Sequence, residues 1–168
     1  MPDYFKQIVI AQFEAALAML NQCITACPEE HWEDRIANGT FRWVTYHTLF
    51  FVDMYLSPNE NSFVEHNLNL LGGDERGPVA CVGLPKADTL AYLEICRQKM
   101  LDTIASETEE SLRAPSGFSW YKITRGELHL VNIRHVQHHT GQLSAFLRRV
   151  VPECQERRAL PWAHSGWQ

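Results

Sequence analysis

The sequence predicts an all-α protein built as a four-helix bundle, and three observations carry that reading. Apolar residues recur every three or four positions along four stretches of about 17–28 residues, while alternating runs bounded by turns are scarce. Three of the stretches run into a proline, at Pro28, Pro58 and Pro152, which cannot continue a helix and disfavours helical backbone just before it. The last stretch opens on Thr124-x-x-Glu127, a capping box in which each side chain satisfies a free backbone donor of the first turn.

The first helix is expected over residues 4–27, where Phe5, Ile8, Gln12, Ala16, Leu20 and Ile24 form a stripe with Val9, Phe13 and Leu17 beside it. A polar connection containing Trp32 follows at 29–39. The second helix is expected over 40–56, with Trp43, His47, Phe50 and Met54 on one stripe flanked by Val44, Phe51 and Tyr55. Residues 57–85 form a long connection, with a short helix expected near 62–71 before the chain loosens at Gly72-Gly73, Gly77-Pro78 and Gly83. The third helix, 86–107, is carried by Leu90, Leu93, Met100, Leu101 and Ile104. Residues 108–123 read as a second long connection, and the fourth helix runs over 124–151.

Loop length sets the topology. Short loops force antiparallel neighbours, but 57–85 is long enough to cross the bundle end to end. The second and third helices then run parallel, in up-down-down-up order.

Composition bounds the function. A chain of 168 residues fits one domain, 1–168, with 152–168 as a C-terminal tail carrying Trp162 and Trp167. The apolar fraction of 45% and the charged fraction of 21% place it among globular proteins. A net charge of −5 argues against a nucleic-acid partner, whose phosphates demand Lys and Arg; Arg148-Arg149 and Arg157-Arg158 are only short basic pairs. The individual apolar runs are far shorter than the ~20 residues of a membrane span. With Asp3 and Glu14 in the N-terminal stretch, no signal-peptide pattern is present, so the expected compartment is the cytoplasm. Cys23, Cys27, Cys81, Cys96 and Cys154 are odd in number and form no C-x-x-C, which reads as reduced thiols.

The chemistry lies in the histidines. There are eight, and His47, His129, His135, His138 and His139 fall on the second and fourth helices. His135 and His139 are four apart, hence on one helix face a turn apart, where two imidazoles can point at one ion. His138 lies ~100° around the helix from His139. Position 136 is Val, whereas a zinc protease needs Glu there as its general base. A lone histidine such as His47, between Trp43 and Phe50, is more often a hydrogen-bonded core residue than a ligand. Facing the pair across a bundle it completes a three-imidazole set that leaves a fourth position open, as in catalytic zinc sites. Gln142, Tyr46, Thr48 and Asn132 are candidate hydrogen-bond partners for these ligands. Gly141 reads as a close helix–helix contact, Cys23 and Cys27 as core, and Asp53 and Glu127 as surface carboxylates near the site by location only.

Residues 45–53 with their single histidine, and above all NIRHVQHHTGQLSAFLRR at 132–149, resemble the DinB/YfiT-like superfamily. The resemblance implies a four-helix bundle holding a divalent metal with one histidine from the second helix and an H-x-x-x-H pair from the fourth. His47, His135 and His139 match those ligands, and His138 matches a neighbouring histidine that is not a ligand. Residues 57–85 match the crossover. The resemblance also implies homodimers in many relatives. For function, some relatives imply a metal- and thiol-dependent S-transferase or isomerase, here expected as an S-transferase that uses a low-molecular-weight thiol on a small electrophile. The alternatives are metal-water hydrolysis and non-catalytic metal or small-ligand binding in a stress-associated interaction protein. Three imidazoles suit zinc, nickel, copper or iron, with availability deciding among them; zinc or nickel is expected. Neither a catalytic residue nor a substrate is named by the sequence.

Overall fold

The computed structural model describes residues 2–36, 39–64, 84–152 and 162–167. They are mostly helical: α1 (Pro2–Ala26), α2 (Phe41–Leu56), α3 (Lys86–Ser106), the short α4 (Glu109–Arg113) and α5 (Arg125–Val150). A 3-10 turn at Glu29–His31 and a two-residue hairpin, β1 (Arg35–Ile36) with β2 (Gly39–Thr40), join α1 to α2.

The four long helices match the periodic stretches to within about two residues, because their ends are fixed by local chemistry. Thr40 caps α2 by accepting from Trp43 N at 3.1 Å. At the start of α5, Thr124 Oγ1 accepts from Glu127 N at 3.2 Å while Glu127 Oε2 accepts from Thr124 N at 2.9 Å, the expected capping box. Two expectations change. Residues 108–123 contain α4, whose own capping box joins Thr108 and Ser111, a pairing that lacks the Glu or Gln of the usual signature. The short helix expected near 62–71 falls mostly outside the described residues, and residues 62–64 are not helical.

Each long helix packs on two others: α1 and α2 both contact α3 and α5. Cross-helix bonds give their relative directions. Lys6 of α1 donates to Ala105 O at 3.0 Å, and Lys86 at the other end of α3 donates to Cys27 O at 2.6 Å, so α1 and α3 are antiparallel. Tyr92 reaches Asp53 Oδ2 at 2.9 Å and Lys99 reaches Ser57 Oγ at 2.9 Å, so α2 and α3 advance together. His47 faces His135 while Tyr55 O accepts from Arg125 at 2.8 Å, so α2 and α5 are antiparallel. The core between them holds Phe13, Leu17, Leu20, Ile24, Leu49, Leu93, Met100, Ile104, Leu128 and Leu143.

Among the described residues one helix, Asp3–Ala26 with a mean hydropathy of 1.4, is long and apolar enough to cross a membrane, which the shortness of its separate apolar runs hides. Half of that window is buried inside the protein, and its Glu14 pairs with Arg97 of α3 at 2.6 Å, as befits a core helix. The described part of the tail returns to α1. Gly166 N donates to Ala11 O at 2.9 Å, Ala163 is buried with Ala15 and Ala18, and the Arg97 guanidinium lies 4.7 Å above the Trp167 ring. Cys23, Cys27 and Cys96 are buried; Cys81 and Cys154 lie outside the described residues.

Candidate metal centre

The i, i+4 repeat of α2 places Trp43, His47, Phe51 and Tyr55 along one face, and the same repeat of α5 places His135 and His139 opposite. The structure brings His47, His135 and His139 together, each half-buried, with one potential ligand atom from each lying within 4.8 Å of the others. His47 Nε2 and His135 Nε2 are 3.4 Å apart. Two nitrogens bound tetrahedrally at the usual Zn–N length sit ~3.3 Å apart, so the donor set fits such an ion. Among the described residues no cysteine or carboxylate joins this group. Cys23 instead lies against Thr140 O, with its sulfur 4.0 Å away.

The neighbours set ring orientation and protonation. His139 Nδ1 pairs with Gln142 Oε1 at 2.8 Å; that bond places the ring proton on Nδ1 and leaves the Nε2 lone pair for an ion. Gln142 thus bonds a candidate ligand directly. Thr48 donates to Val44 O at 2.6 Å and Asn132 to Val52 O at 3.3 Å, while Tyr46 packs between Phe50 and Tyr92. His47 is held by rings: Trp43 stacks on it at 4.8 Å and 27°, and Phe51 meets it edge-on at 4.8 Å. Burial, reinforced by the neighbouring imidazoles of His139, His47 and His138, pushes His135 down to about 3. Burial also lowers His139, partly offset by its bond to Gln142. Both rings are therefore neutral near pH 7, the form that ligates a metal. His138 is exposed, with its Nε2 3.4 Å from Gln142, and lies outside the group.

Several expectations are corrected. Gly141 makes no close helix contact: a Cβ there would meet nothing within 4 Å. Asp53 is buried, not on the surface, between Lys99 at 2.6 Å and Tyr92 at 2.9 Å. Glu127, by contrast, is exposed and caps α5 as expected. His129 is fully buried and bonds Glu107 Oε1 at 3.1 Å, far in role from the metal group. Sequence reasoning missed that Glu107 network, which also takes Arg125 Nε at 3.0 Å and the Ser111 hydroxyl. Arg125 in turn binds the carbonyls of Tyr55, Leu56 and Ser57, which end α2. Burial opposes the Glu107 charge, yet the His129, Ser111 and Arg125 bonds outweigh it and hold the carboxyl at about 2. A helical signal alone could not reveal it, since the partners are 18 and 22 positions away.

Fold and site together define a class: a mostly helical protein in which three imidazoles from two helices could hold one metal ion. The family model of the DinB superfamily matches residues 12–143, a span that contains all three histidines. The chain belongs to the DinB superfamily. No curated protein and no solved structure matches it.

Proposed function

We propose that this DinB-superfamily protein holds one divalent ion, zinc or nickel, on His47, His135 and His139 and transfers a low-molecular-weight thiol to a small apolar electrophile. The carrying observation is the convergence of three half-buried imidazoles at ligand spacing. An ion there would lower the pKa of a thiol at its open position, making it a nucleophile near neutral pH. The chain's own residues supply the rest. Gln142 fixes His139, Trp43 and Phe51 fix His47, and Phe51 with Phe50 offers an apolar wall that favours an apolar electrophile over water. Asp53 is paired with Lys99 and Glu127 with its helix cap, which favours thiol transfer over hydrolysis assisted by either carboxylate.

The architecture we infer is a single domain, an up-down-down-up four-helix bundle crossed over by 57–85, with 152–168 as its tail. The antiparallel α1–α3 and α2–α5 pairs and the co-directional α2–α3 pair support it. The buried free thiols of Cys27 and Cys96 suit a reducing compartment such as the cytoplasm.

The test is elemental analysis of protein purified without a histidine tag, then a thiol and electrophile screen with the ion restored. One ion per chain and thiol-dependent turnover are expected. Absence of stoichiometric metal overturns the site; metal without turnover reduces the function to metal binding.

A further inference from the structure

His138 is exposed and outside the three-histidine group, yet it is tied to that group through one side chain. Helical spacing sets Gln142 one turn beyond both His138 and His139 on α5. Its amide reaches both rings: Oε1 lies 2.8 Å from His139 Nδ1, and Nε2 lies 3.4 Å from His138 Nε2. The two imidazoles themselves meet edge to face at 4.9 Å and 76°. The two ends of a carboxamide have nearly the same shape and opposite chemistry, since the oxygen only accepts and the nitrogen only donates. With the oxygen toward His139, the proton of that neutral ring sits on Nδ1 and Nε2 is left as a bare ligand atom. With the amide turned over, its N–H donates to Nδ1, and the ring proton must sit on Nε2, where it blocks ligation. The partner at the far end of the amide decides between the two, and that partner is His138.

We propose that His138 is a positioning residue for His139: its Nε2 accepts from the Gln142 amide N–H and thereby keeps the amide oxygen, and the ligand-competent tautomer, on His139. The inference rests on the metal reading above and adds a residue to it. The bonds form a relay in which His139 Nδ1–H donates to Gln142 Oε1, Gln142 Nε2–H donates to His138 Nε2, and His138 keeps its own proton on Nδ1. Turning the amide over reverses the whole relay, so the two rings exchange tautomers together. Both rings stay neutral in either arrangement; each proton changes nitrogen within its own ring, and no net charge moves. An ion on His139 Nε2 selects the first arrangement and so fixes the proton of His138 on Nδ1 at the protein surface. The effect of His138 on affinity is small, because freeing the amide halves the competent population at most and weakens binding about twofold. Its effect on the tautomers is large.

Long-range 1H–15N correlation spectra of tag-free protein labelled with 15N-histidine read the tautomer of each ring directly. They are recorded at pH 8.5, well above the ordinary imidazole value of ~6.5. In metal-free wild type, His139 should carry its proton on Nδ1; in metal-free H138A it should become a mixture of the two tautomers. In wild type with zinc added, His138 should carry its proton on Nδ1, and in Q142A the tautomer of His138 should no longer respond to zinc. A His139 signature unchanged by H138A overturns the proposal, as does a zinc-loaded wild type with the His138 proton on Nε2. Failure of the wild type to bind zinc sinks the metal reading itself, and the metal-free comparison of wild type with H138A still decides the role of His138. Should H138A not fold, Q142A decides: a His138 tautomer that answers to zinc equally with and without Gln142 refutes the relay.

Discussion

His47 Nε2 and His135 Nε2 stand 3.4 Å apart although 88 positions separate the two residues in the chain. Two like nitrogens at that distance gain little from each other when both rings are neutral, but it is the edge of a tetrahedral ligand set. The placement follows from antiparallel packing of α2 on α5, with Arg125 tying the end of α2 to the start of α5 and so setting their register.

Metal content reads that register directly. H47A, H135A and H139A should each drop bound metal from about one ion per chain toward zero, measured by elemental analysis after dialysis, whereas H138A should keep it. Equal loss from H138A would show that α5 is misaligned by a residue.

Gln142 bonds a candidate ligand, His139, without joining the three-histidine group. Q142A should weaken metal binding by about 10- to 100-fold, the usual effect of losing the partner of a ligating histidine, with little change in melting temperature. Wild-type affinity in a competition titration against a chelator would contradict this.

Two glycines give opposite expectations. G39A drives a methyl group into Trp43 and should destabilise the protein by about 1–3 kcal/mol while loosening metal binding through His47. G141A adds a methyl to open space in a helix interior and should stabilise by about 1 kcal/mol. Chemical denaturation of both variants checks the pair.

Acid stability reports on Glu107. Its folded-state pKa of about 2 lies below the ordinary 4.5, so the native state binds that proton more weakly than the unfolded chain. The contribution is fully present above pH 4.5 and is lost as pH falls toward 2; its size is about 2–3 kcal/mol. Denaturation from pH 6 to pH 2.5 should show wild type losing its advantage over E107Q across this window. A constant difference at all pH values would rule the mechanism out.

Self-association is expected through an interface burying at least ~1,000 Å² in total. Trp167 is engaged with Arg97 of its own chain, but Trp162 remains 66% exposed. Sedimentation of the wild type should show a dimer at micromolar concentration, and W162S should weaken it. Monomer alone would end this expectation.

The sequence by itself determined the helices and the candidate ligands. Periodicity, prolines and capping residues act within a few positions, so the four long helices and the shared face of His135 and His139 were legible from local chemistry. Inward faces of a bundle already set His47 opposite that pair, and the resemblance carried by 45–53 and 132–149 matched all three to the family's ligands. Tertiary structure alone decided what depends on contacts between distant segments. It showed that Gln142 bonds His139, a candidate ligand. It revealed that Asp53 is buried beneath Lys99 and that Gly141 faces open space. It also joined Glu107 to Arg125 and His129, and set Trp43 between Gly39 and His47. Each of these depends on which side chains meet when helices dock, and docking is set by volume and register summed over whole helix faces, which no single stretch of sequence contains.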